Sequence, residues 1–318
     1  MAPILPPPVK VGDCVRVIAP AGPYDEESAA KGIEMLRSWG LNPVLVPSRK
    51  WGFLAGEDDL RLQDLLDAFL DPTVAAVICS RGGYGCMRLM DKFMKAVDSL
   101  PPKRFFGFSD ITTIHAALPF VSFHGPMAAT GLFYSGTTES QDRMKSALFE
   151  TANLVPAIPG TILRVGSEHP SSWPSIVIAP VVGGNMTLVA ASIGTKYQID
   201  CTNRILLLED INEPPYRLDR LFQQMLQSGM LKGVVGFVLG DFTGGEVDNV
   251  LQDQFGTYTQ EEFWGKFVGI LHLGVPVLYN VAVGHIKNNL TVPLRMPMVL
   301  DIEAQQLRMP TSHEQLSI

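Results

Sequence analysis

Ser109 in "FFGFSDITTIH", Glu209 in "RILLLED" and two of the six histidines are the residues whose types and settings suit proton transfer and nucleophilic attack. Ser109 stands where an apolar run gives way to a helical pattern. Phe105 and Phe106 end a short buried strand, Gly107 permits a sharp turn, and Ile111, Ile114, His115 and Leu118 continue on a helix. Two roles fit this serine. On a tight strand-to-helix turn its hydroxyl is a nucleophile; at a helix start it is a cap, a role for which Asp110 competes. The stretch is not the G-x-S-x-G elbow, because Ile111 takes the place of the last glycine. Taken alone, it favours the cap.

Glu209 follows four apolar residues at the mouth of a buried strand, where a bare carboxylate is costly. Its partner is either a nearby arginine, Arg217 or Arg220, or a histidine that it orients. His124 in "FHGP" and His285 in "VGHIKNN" each follow a strand beside a glycine, which suits a positioned imidazole. The others have ordinary readings: His115 packs on the helix after Ser109, His169 lies in a connecting segment, His272 closes a helix and His313 is near the chain end. In "CSRGGYG", Cys79 to Gly85, three glycines in four positions leave backbone N–H groups free to face an anion. Neither G-x-G-x-x-G nor a following G-K-[ST] is present, so the nucleotide fingerprints fail and a purely structural turn is an equal alternative.

These residues need a scaffold, and the first half supplies the pattern of one. Val15–Ala19, Asn42–Val46 and Val74–Cys79 read as strands; Glu27–Trp39, Asp58–Leu70 and about Cys86–Val97 read as helices between them. Such alternation predicts an α/β fold with a mainly parallel sheet and helices on both faces, in which ligands bind beyond the carboxyl ends of the strands. Asn153 to Ser175 contains four prolines and no sustained period, so an interdomain connection is expected over 153–175, between domains 1–152 and 176–318. The second half has its own strands, "SIVIAPVV", "RILLLE", "GVVGFVLG" and "VPVLYNVAV". It also has the clearest helix, Leu218 to Gln227, with Leu218, Leu221, Phe222, Met225 and Leu226 inward.

The chain as a whole narrows the classes. At 318 residues, 46% hydrophobic and 18% charged, it has material for about two globular domains. A net charge of −7 with no dense Lys/Arg run argues against a nucleic-acid footprint. No stretch approaches a membrane span, and the start has no secretory pattern. Cys14, Cys79, Cys86 and Cys201 lack C-x-x-C spacing and read as reduced thiols. The expectation is a cytoplasmic enzyme that contacts neither membrane nor nucleic acid.

Eight blocks in order resemble the LD-carboxypeptidase family of serine peptidases, which includes the microcin C immunity peptidases. They are "VGDCVRVIAPAGP", "FLAGEDDLRLQDL", "CSRGGYGCMRLM", "FFGFSDITTIH", "HGPM", "GGNMTLVAASIGT", "LLLEDINEPPYRLDR" and "GVPVLYNVAVGHIKNN". The resemblance implies a Ser109–Glu209–His285 triad with an oxyanion hole from the amides of Gly82 and Asp110, and it reverses the reading of Ser109. It further implies a Rossmann- or flavodoxin-like N-terminal domain with the serine and a smaller, swivelling-type C-terminal α/β domain with the acid and histidine. Implied too are a homodimer, no cofactor or metal, and cleavage of the amide to the terminal D-alanine of a muropeptide tetrapeptide in peptidoglycan recycling. The microcin branch instead cuts a peptidyl-nucleotide amide. Glu213, four residues after Glu209, is the competing acid; beside Pro214 and Pro215 it reads as a loop residue. The rival class is a non-catalytic α/β protein that uses "RGGYG" as an anion nest.

Overall fold

The apolar runs of the first half become a parallel sheet in a computed structural model that describes residues 4–151, 154–164, 173–245, 250–254 and 256–315. Asn153 and residues 165–172 of the expected connection, His169 among them, lie outside the described residues. The chain folds into two compact units in a mixed α/β fold. One comprises residues 1–155 and 287–295, the other residues 156–286 and 296–318.

In the first unit, β1 (Cys14–Ile18) leads to helix α1 (Glu26–Ser38) and β2 (Asn42–Leu45). Helix α2 (Asp58–Leu70) and β3 (Val74–Cys79) follow, then β4 (Arg104–Gly107), α3 (Thr112–Ala117) and β5 (Ser122–His124). The strands run parallel in the order β2-β1-β3-β4-β5. The strand Val292–Leu294 pairs antiparallel with β5, closing one edge of the sheet with residues from late in the chain. The middle strands read as continuous apolar runs because both their faces are covered: Val77, Ile78, Phe105 and Phe106 are fully buried. Asp25 caps α1 by accepting the Ser28 amide at 2.8 Å, and Ala29, Ile33 and Leu36 form the buried stripe that the four-and-three spacing predicts.

The stretch expected to be one helix over Cys86–Val97 is broken. A 3₁₀ turn spans Cys86–Leu89, one α-turn spans Met90–Phe93, and a second 3₁₀ turn spans Val97–Ser99. The apolar stripe survives, since Cys86, Leu89, Met90, Phe93 and Val97 are all buried. The backbone tightens to i−3 bonds in places, as in Lys95 N to Lys92 O at 3.2 Å, and Pro101 and Pro102 bar any continuation of the helix beyond.

In the second unit, β6 (Ile176–Asn185) feeds helix α4 (Met186–Ala191), and β7 (Ile205–Glu209) feeds helix α5 (Pro215–Gln227). Strands β8 (Gly236–Leu239) and β9 (Val277–Tyr279) complete a parallel group in the order β6-β7-β8-β9. Antiparallel strands flank the group, with Pro297–Asp301 on the first half of β6. Helix α5 begins three residues before the expected Leu218, with Pro215 in its first turn. Leu218, Phe222 and Met225 are buried, whereas Leu226 is 40% exposed. The expected strand "VPVLYNVAV" ends at Tyr279, because Asn280 turns into the left-handed region at φ +55°.

Phe106 stacks on Phe123 with ring centroids 4.7 Å apart and is wholly buried in the central strand β4. Phe106→Ala should therefore cost about 3–5 kcal/mol of stability in urea unfolding. A loss under about 1 kcal/mol would contradict this placement of the core.

Candidate active site

Ser109 has a backbone φ of +63°, left-handed for a residue with a Cβ, at the turn between β4 and α3. Such a conformation costs on the order of 1–3 kcal/mol and persists only where its surroundings impose it. A capping residue has extended backbone, and the N-cap position of the 3₁₀ turn Ser109–Ile111 is held by Phe108. Neither serine nor aspartate therefore caps this helix. The Asp110 carboxylate is buried, accepting the Cys86 amide at 2.8 Å, and burial raises its pKa against that bond and the Arg61 charge.

The glycine loop lies directly against this turn. A Cβ on Gly82 would stand 2.9 Å from Ser109 Cβ, 3.0 Å from its Oγ and 3.4 Å from the Asp110 nitrogen, so only glycine fits. The Gly82 carbonyl accepts the Gly22 amide at 3.1 Å. Loops after β1, β3 and β4 thus converge on Ser109, at the carboxyl ends of parallel strands. Two residues before the serine, the Gly107 carbonyl accepts a bond from His115 Nε2 at 2.9 Å, while His115 Nδ1 lies 2.7 Å from Ser122 Oγ. A carbonyl only accepts, so Nε2 holds the proton and Ser122 donates to Nδ1. Burial pushes the His115 pKa down to about 3, and the ring stays neutral as a strut for the turn.

In the second unit, Glu209 ends β7 and is 0% exposed. Its Oε2 accepts from His285 Nδ1 at 2.8 Å. The chain reaches this position by crossing the ends of β7 and β8. Val281 N donates to Leu239 O at 3.2 Å, and Asp241 N donates to Val283 O at 2.8 Å. Gly284 at φ +123° makes the last bend, and a Cβ there would fall 2.8 Å from Glu209 Oε2. The arginine alternatives are engaged elsewhere: Arg217 pairs with Glu213 at 3.4 Å, and Arg220 lies over the Tyr216 ring. Glu213 is thus a helix-start ion pair, set apart from Glu209 by its partner.

Two further carboxylates belong to this cluster and were missed from sequence. Asp210 accepts from Asn185 Nδ2 at 2.8 Å and from the Thr187 amide at 2.9 Å. Asp241 accepts the Gly244 amide at 2.6 Å and the Thr243 hydroxyl at 2.7 Å. Each follows its strand directly or one residue after it ("LLLED", "FVLGD"), a repeated strand-then-acid pattern that was visible in the sequence. Burial alone would lower the His285 pKa. The Glu209 charge and hydrogen bond, with Asp210 and Asp241 behind them, outweigh it and hold the pKa above the ordinary histidine value. With Nδ1–H held by the carboxylate, Nε2 is left as the basic atom of a side chain that is 15% exposed. His124 is fully buried beside Phe108 in the first unit.

Residues 15–125 match the model of the LD-carboxypeptidase N-terminal domain, and residues 179–300 match that of the LD-carboxypeptidase C-terminal domain. A putative carboxypeptidase of Streptomyces coelicolor is 36% identical over 311 residues, covering 93% of each chain. The murein tetrapeptide carboxypeptidase of Pseudomonas aeruginosa is 31% identical over 300 residues, 90% of this chain and 92% of its own. The crystal structure of muramoyltetrapeptide carboxypeptidase from Oxalobacter formigenes aligns with a TM-score of 0.73 at 28% identity, over 92% of this chain and 97% of that one.

The raised pKa predicts that His285 titrates above about 6.5 in an NMR pH series. Glu209→Gln removes the principal cause of the rise and leaves burial opposed only by Asp210 and Asp241, so the midpoint should fall. A midpoint unmoved by Glu209→Gln would contradict the assigned pair.

Proposed function

This chain belongs to the LD-carboxypeptidase family, and we propose that it is a serine carboxypeptidase that removes the terminal D-alanine from muropeptide tetrapeptides. The observation that carries this reading is the buried Glu209–His285 hydrogen bond, which fixes the tautomer that a general base needs. In this reading Ser109 Oγ attacks the scissile carbonyl, and His285 Nε2 accepts its proton. A tetrahedral oxyanion forms, and the amides of Gly82 and Asp110 donate to it. The imidazolium then protonates the leaving amine as the carbon–nitrogen bond breaks, giving D-alanine and an acyl-enzyme ester. Water attacks that ester with His285 again as base, releasing the tripeptide acid and restoring Ser109. Glu209 holds the ring and offsets its positive charge throughout.

The strand order β2-β1-β3-β4-β5 supports reading the first unit as flavodoxin-like, with Ser109 at a position where such sheets present their ligands. Among the described residues no helix is long and apolar enough to cross a membrane. Turnover of muropeptides in peptidoglycan recycling is the biological setting that this chemistry fits.

Incubation with a muropeptide tetrapeptide should release one D-alanine per molecule, read by mass spectrometry; an intact tetrapeptide after prolonged incubation would overturn the substrate. Glu209→Gln should lower kcat by orders of magnitude through the wrong tautomer, while Glu213→Gln keeps most of it. The reverse ranking would move the acid to Glu213. Because His285 must be neutral to accept a proton, the rising limb of kcat/KM should lie above about pH 6.5. A limb well below that pH would remove His285 as the base.

A further inference from the structure

Immediately beside Gly82, the first unit has an open cavity of about 640 Å³ lined by Gly22, Lys50, Phe53, Arg81, Gly83 and Tyr84, among others. Its charged lining is cationic. Arg81 Nη1 donates to the Pro23 carbonyl at 3.2 Å, and neither Arg81 nor Lys50 has a carboxylate partner among the described residues. Their neighbours differ in this: Arg49, Arg61, Arg88 and Lys92 are each paired with an aspartate. Phe53 and Tyr84, 68% and 46% exposed, meet edge to face at 5.5 Å and make an aromatic wall at the same opening.

We propose that Arg81, with Lys50 beside it, binds the free carboxylate of the leaving D-amino acid. The inference rests on the carboxypeptidase reading and adds to it how an endopeptide would be refused. Reach decides which residue can do this. In the leaving residue the carboxylate carbon is about 2.5 Å from the scissile nitrogen, one N–Cα and one Cα–C bond away. Its recognition group must therefore lie within about a residue of the oxyanion site. Arg81 is the residue adjoining Gly82, and Gly82 packs against the Ser109 side chain. The bond to Pro23 fixes one edge of the guanidinium and leaves other N–H groups for a carboxylate, to which the planar fork is matched. A peptide continuing past the D-residue presents a neutral amide there and leaves both cations unanswered.

The test compares each tetrapeptide acid with its C-terminal carboxamide, in forms with lysine or meso-diaminopimelate as third residue. Binding is read by calorimetry on Ser109→Ala, which is independent of turnover, and kcat and KM on the otherwise intact protein. Wild type should prefer the acid, and Arg81→Gln should raise KM for the acid about 10- to 100-fold with a smaller change in kcat. The acid-over-amide preference should then fall towards one, and Arg81→Lys should restore part of it. In Ser109→Ala, adding Arg81→Gln should weaken the acid and leave the amide unchanged. An acid-over-amide ratio unaffected by Arg81→Gln would overturn the site. So would an effect that follows the diaminopimelate side-chain carboxylate, or equal loss for acid and amide with a lowered Tm. Failure of wild type to cleave any tetrapeptide would instead count against the carboxypeptidase reading, with the calorimetric ratio still deciding whether Arg81 binds the terminal carboxylate.

Discussion

A carboxylate buried to 0% exposure at the end of an all-apolar strand is the constraint around which the second unit is arranged. Glu209 has lost its water, and in a low-dielectric setting such a charge must be met by a partner of good geometry. His285 is that partner, and several features of the sequence follow from bringing it there. Gly284 must be bare so that its backbone passes Glu209 Oε2, and β9 must stop early at Asn280 so that the chain can turn across β8. Asp210 and Asp241, each satisfied by several donors of its own, sit close enough to bias the imidazole towards its charged form. The result is an imidazole whose affinity for a proton is set by three carboxylates opposing burial.

The first unit carries a strained backbone at Ser109. The residue is held left-handed by the elements around it. His115 and Ser122 fix the Gly107 carbonyl, and the Asp110 side chain takes the Cys86 amide. Buried Arg61 ties the neighbouring loops through bonds to the Gly56 and Pro20 carbonyls and an ion pair with Asp58. Strain of about 1–3 kcal/mol at one residue is sustainable when several hydrogen bonds over-determine the turn. The turn also departs from the elbow pattern: Ile111 stands where a second glycine is usual, and its side chain packs where a Cβ on Gly107 would fall 2.7 Å from Ile111 Cγ2.

Much of this was legible in the sequence because its signals are local. Helix α2 and strand β3 have the bounds that their periodicity and flanking residues predict, and Glu209 was marked out by the apolar run before it. Features that depend on distant residues were not legible. The strand Val292–Leu294 pairs with β5 across more than half the chain, so no local pattern assigns residues 287–295 to the first unit. The interrupted helix over 86–97 keeps its apolar stripe and hides its break, since a 3₁₀ turn and an α-turn bury nearly the same positions. The local stretch at Ser109, taken alone, favours a cap because polarity at a helix start is what sequence displays and the sign of φ is not; only the resemblance of eight blocks reverses that reading.

The central claim is that Ser109, Glu209 and His285 act as one chemical unit, and a kinetic double-mutant cycle tests it most directly. Turnover would be compared for Ser109→Ala, His285→Ala and the double variant, with folding checked by circular dichroism. Each single change should remove about 10⁴-fold or more of the rate, and the double should be only slightly worse than either, since a serine without its base has already lost nearly all its advantage. Losses that multiply in the double variant, or a Ser109→Ala protein with wild-type turnover, would contradict the account.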